Sequence, residues 1–179
     1  MSQKYIRGRI SQNRAKAVKY ILTEIAMFFT VILLQTTLFA KWRFFGAVPD
    51  LCYATLMLTA YFCGKETGAV TGIAAGFAVE ALGSTGISIL PVCYLFCGYV
   101  CGYFTRAIVP RRFTAFLAVM GAAVPVRAAI SLVYVCLTYD SVNLFSVLAH
   151  NILPEAVGTF LFACLLYYPV GKICEWMNK

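Results

Sequence analysis

Long apolar runs dominate the chain, broken by short stretches that carry charge, proline or glycine. A helix needs roughly 20 consecutive apolar residues to cross a hydrocarbon core about 30 Å thick. Runs at about 20–40, 48–63, 67–83, 87–104, 113–137 and 152–170 therefore predict six such helices. The stretch from Val142 to Ala149 is moderately apolar and either extends the last span or lies along the interface. The runs are continuous and not alternating, which excludes a water-filled β-barrel. The expected fold is all-α: a polytopic membrane protein built as one six-transmembrane-helix bundle over 20–170. It is flanked by tails at 1–19 and 171–179. The first apolar run ends in Phe39-Ala40-Lys41 instead of a small-x-small cleavage site, so it reads as a retained signal anchor.

Composition narrows the function. Of 179 residues, 61% are hydrophobic and 12% charged, against about 45–50% and 25% in soluble domains. No polar stretch is long enough to build an attached soluble enzyme domain. The single histidine excludes a multi-histidine metal site. The eight cysteines contain no Cys-x-x-Cys pair, and Cys93, Cys97 and Cys101 read as small residues along one helix contact. No cofactor is expected, and no nucleophile–base pair survives inspection: His150 is the only imidazole, and no serine lies in a nucleophile-elbow context.

The basic residues orient the chain. Lys4, Arg7, Arg9, Arg14, Lys16 and Lys19 crowd the N-terminal tail. With that tail cytoplasmic, Lys65, Arg106, Arg111, Arg112, Lys172 and Lys179 also fall inside, leaving only Lys41 and Arg43 on the far side. Both termini are thus expected in the cytoplasm. Trp42 and Tyr139 at outer edges, with Tyr20, Tyr103, Tyr167, Tyr168 and Trp176 at inner ones, fit interfacial belts. The basic tail suits anionic lipids, at roughly 1 kcal/mol per residue near the surface. Without aromatic-interleaved basic sequence it does not suggest nucleic acid.

The few polar residues inside the spans carry the hypotheses. Gly64, Gly68, Gly72, Gly76 and Glu80 recur every fourth residue, a stripe that lets helices approach closely. The Gly68–Gly72–Gly76–Glu80 face either packs within the bundle or receives a partner's helix. An ionisable residue in a span needs a partner. Counted along their helices, Glu80 and Arg127 reach a similar depth, roughly 21 Å from the inner edge, which predicts an ion pair. Pro125 lies close enough to loosen that helix and free a carbonyl for the guanidinium. Asp50 and Glu155 follow Pro49 and Pro154 at the starts of spans two and six. Each is either a helix cap or a member of a polar cluster with Glu80 and Arg127. Glu24 reaches headgroups or pairs with the basic tail.

The order of these features resembles the rod-shape-determining membrane protein family MreD of bacteria. The likeness lies in Leu34-Gln35-Thr36-Thr37-Leu38, in Val48-Pro49-Asp50-Leu51, and in the run from Gly68 to Glu80. Gly83, Gly86-Ile87, Gly98-Tyr99 and Gly102 extend it. It covers 20–170 in layout and about 34–102 in distinctive residues. Glu80 stands where the family usually has Asp, and Gly158-Thr159 where an Asn is usual. The resemblance implies a non-enzymatic scaffold of the cell-elongation machinery in the bacterial inner membrane. Its partner would be the single-span MreC and, through it, the MreB filament and the wall-synthesis enzymes. The fold would be similar to substrate-capture subunits of energy-coupling-factor vitamin transporters. That is the alternative function, with Asp50, Glu80, Arg127 and Glu155 facing a small molecule.

Overall fold

A computed structural model describes residues 2–39, 48–83, 89–107, 112–138 and 148–178, with no strand among them. Six α-helices appear in those residues: α1 (Ser2–Leu34), α2 (Leu51–Cys63), α3 (Lys65–Gly83), α4 (Leu90–Ala107), α5 (Phe113–Thr138) and α6 (Leu153–Asn178). π-Helical turns continue α1 over Gln35–Phe39 and precede α6 over Leu148–Ile152. Three stretches are long and apolar enough to cross a membrane by themselves: Val18–Thr37, Phe113–Val133 and Leu148–Trp176. Leu51–Cys63 and Leu90–Thr105 are apolar but shorter. These helices make the chain a multi-pass membrane protein. Trp42, Tyr139 and most of the 142–149 segment lie outside the described residues.

α2 is the axis of the bundle. Every residue from Leu51 to Tyr61 is buried, and α1, α3, α4 and α6 all pack on it. At 13 residues it is only about 20 Å long, short of the roughly 30 Å hydrocarbon core. Both its ends are set by local chemistry. Asp50 caps the start, its side chain accepting from the Tyr53 N–H at 2.9 Å. Gly64 ends it with φ of 98°, a conformation that favours glycine. Its N–H donates to Ala60 O at 3.0 Å, and its carbonyl accepts from Gly68 N at 2.9 Å. One residue therefore turns the chain from α2 into α3.

α3 and α4 form the tightest pair. A Cβ built on Gly68 would sit 2.5 Å from Gly98 O, and one on Gly72 2.5 Å from Tyr94 O. Gly76 meets Pro91 in the same way. The glycine stripe is therefore consumed inside the bundle, where missing side chains let two backbones touch. At one end of the bundle Tyr61, Phe116 and Tyr167 form an aromatic cluster, with Tyr61 and Phe116 ring centroids 5.3 Å apart. By contrast, α1 touches α3 only lightly, and so does α4 touch α5. Each of these two loose pairs leaves a groove between its helices.

Candidate functional site

A charged cluster joins four helices near the start of α2. Asp50 is 3% exposed. Its Oδ1 accepts from Tyr53 N, and its Oδ2 accepts from both Arg127 Nη2 and the Tyr94 hydroxyl. The Asp50 N–H donates to Thr159 Oγ1 at 2.9 Å. Arg127 Nη2 also donates to Glu155 Oε1 at 2.8 Å. The guanidinium carbon lies 5.4 Å from the Tyr53 ring centroid and 5.5 Å from that of Tyr94, within cation–π range. The Tyr53 hydroxyl reaches Ala123 O at 3.0 Å. The Arg127 hydrogen bonds go to the two carboxylates and not to a carbonyl near Pro125.

Each member is where it is for a local reason. Asp50 and Glu155 sit at the starts of α2 and α6, where the helix dipole favours negative charge. Arg127 projects from the middle of α5 at the same height. Two carboxylates face one guanidinium, and the dipoles together with the Tyr94 hydroxyl offset the excess negative charge. In an apolar surround such charges interact far more strongly than in water. The cluster therefore ties α2, α4, α5 and α6 together. Beside it lies a recess of about 220 Å³ bordered by Cys93, Tyr94, Arg127, Ser131 and Glu155.

The expected quartet is corrected in one member. Asp50, Arg127 and Glu155 come together, and Asp50 is both cap and ion-pair partner. Glu80 does not join them, and the expected Glu80–Arg127 pair is not formed. Its Oε2 is buried without a hydrogen-bond partner. The α3–α4 register explains this. Gly68 meets Gly98, Gly72 meets Tyr94 and Gly76 meets Pro91, so the next step carries Glu80 beyond the Leu90 start of α4. Of the two readings of the Gly68, Gly72 and Gly76 face, packing within the bundle is the one found, with α4 of the same chain against it.

Glu24 is 6% exposed, and no cation lies beside it among the described side chains, which leave out most of the basic tail it was expected to meet. His150 is exposed. Cys97 and Cys101 are buried along α4, and no disulfide links any of the eight cysteines. Among the described residues no three His, Cys, Asp or Glu converge as metal ligands. Lys19 lies 3.5 Å from the Trp176 ring centroid, joining the middle of α1 to the C-terminal end of α6. Thr159, which the sequence marked only as a departure from the resembled family, completes the cluster together with Tyr53 and Tyr94, two phenols that no motif singled out. The only available signal was that a phenol inside an apolar helix needs a hydrogen-bond partner.

No family model matches the chain, and neither the curated proteins nor the solved structures contain a match.

Proposed function

We propose that this chain is a non-enzymatic integral membrane scaffold of the bacterial cell-elongation machinery. This is the role implied by its resemblance to the MreD family, exercised through helix–helix contacts with a single-span MreC-like partner. The supporting observation is how the cluster's groups are used. Asp50, Arg127, Glu155 and Tyr94 bind one another, so their chemistry goes into fixing four helices in place. A bundle held that way presents rigid helix faces to another helix. The test is co-purification with the MreC-like protein of the same cell, combined with depletion of the chain. The expected outcome is a stable complex and loss of rod shape. No complex and unchanged cell shape would refute the proposal.

A second reading, a substrate-capture membrane subunit of an energy-coupling-factor vitamin transporter, is favoured by the recess of about 220 Å³ beside Arg127 and Glu155. It predicts that the purified chain retains a vitamin, or melts several degrees higher when one is added. Flat melts across a vitamin panel would remove it.

A further inference from the structure

α3 carries two faces of small residues. Gly68, Gly72 and Gly76 are covered by α4. Thr67, Thr71, Ala74 and Ala78 instead line a groove of about 630 Å³ between α3 and α1. The groove runs from Tyr20 to Ile32 along α1, about 18 Å or three helical turns. Its polar groups gather at one end. Tyr20 and Glu24, one turn apart on α1, and Glu66 on α3 all line it there. Glu24 is 6% exposed and no cation lies beside it among the described residues; the Tyr20 hydroxyl and the Cys63 thiol are its polar neighbours.

We propose that this groove seats a partner's single membrane helix carrying a lysine or arginine at the level of Glu24. The proposal rests on the scaffold reading above and assigns that partner its place and its chemistry. Small residues along one wall let a second backbone approach closely, as α4 already does on the opposite face. An unpaired acid buried among apolar helices is costly, and a basic side chain relieves that cost when a change of rotamer turns the carboxyl toward the groove. Lipid tails supply no donor. The α4–α5 groove makes the contrast. It is of similar size, about 580 Å³, and like the first is lined by phenylalanines and alanines, but no charged residue lines it, which suits hydrocarbon chains.

The probe is a synthetic Ala/Leu membrane helix of about 20 residues with one lysine near one end, compared with the same helix bearing leucine there. Binding to the full-length chain is read by energy transfer in phosphatidylcholine vesicles. The lysine helix should bind roughly 3- to 30-fold more tightly, the range of one interhelical polar contact. Glu24→Leu should erase that preference. Ala74→Phe should weaken both helices, and Ala118→Phe in the other groove should weaken neither. A preference below about twofold, one that persists in Glu24→Leu, or indifference to Ala74→Phe would overturn the proposal. Co-purification of the scaffold's partner that survives both Glu24→Leu and Ala74→Phe would overturn the groove and leave the scaffold reading standing. A retained lysine preference without any co-purifying partner would do the reverse.

Discussion

Replacing Arg127 with methionine tests the cluster most directly. The substitution keeps most of the side chain's length and removes the only cation that faces Asp50 and Glu155 among the described residues. Asp50, 3% exposed, would keep its bonds to Tyr53 N and the Tyr94 hydroxyl but lose its counter-ion. Breaking a buried pair by removing one partner costs about 3–5 kcal/mol, because the other charge is left uncompensated. Glu155, with 30% of its side chain exposed, adds less, since solvent screens it. For a chain of this length about 2–4 °C of melting temperature corresponds to 1 kcal/mol. Arg127→Met should therefore melt about 6–20 °C below wild type in detergent micelles, followed by loss of the monodisperse peak on size exclusion. Adding Asp50→Asn should recover at least half of the loss. The amide still caps α2, and the stranded charge is gone. A single variant within about 3 °C of wild type, or a double variant no more stable than the single, would refute the claim that the cluster is a structural ion pair.

The same melting assay checks four further expectations. Gly72→Leu forces side-chain atoms onto the Tyr94 carbonyl and should cost at least the 1–3 kcal/mol typical of overpacking. Gly121→Ala, with nothing within 4 Å of the added carbon, should be neutral or slightly stabilising, since alanine suits a helix better. Tyr94→Phe removes a hydrogen bond to a buried carboxylate and should cost about 1.5–3 kcal/mol. Glu80→Gln should not lower the melting temperature, because no ion pair among the described residues depends on it; a loss as large as that of Arg127→Met would reinstate the discarded pairing.

The positions of the helices were legible because run length and flanking charge directly reflect what a bilayer demands. The surroundings of each helix were not. A helix apolar on all sides looks the same whether lipid or protein covers it, so nothing in Leu51–Tyr61 marked α2 as the buried axis. The cluster was half legible for a related reason. Counting residues gives height along a helix, and height alone correctly grouped Asp50, Arg127 and Glu155. Azimuth depends on packing, and the glycine face that turns α3 onto α4 also carries Glu80 past the end of its neighbour. The glycine stripe announced a close contact without naming which helix would make it. Glu24 shows the reverse case. Its charge was plain in the sequence, but only the packed bundle reveals that no cation among the described residues answers that charge.

The shortness of α2 has a consequence for how the chain is made. Asp50 is synthesised 77 residues before the arginine that neutralises it, and Thr159 and Glu155 come later still. Until α5 and α6 emerge, the nascent protein holds a helix too short for the bilayer, tipped by an acid with no counter-ion. That segment cannot settle as an independent span and must be held at the membrane or in the insertion machinery. Insertion of α2 is thus completed by the last third of the chain, and a polypeptide released before Arg127 would carry an unfinished centre for quality-control proteases to recognise.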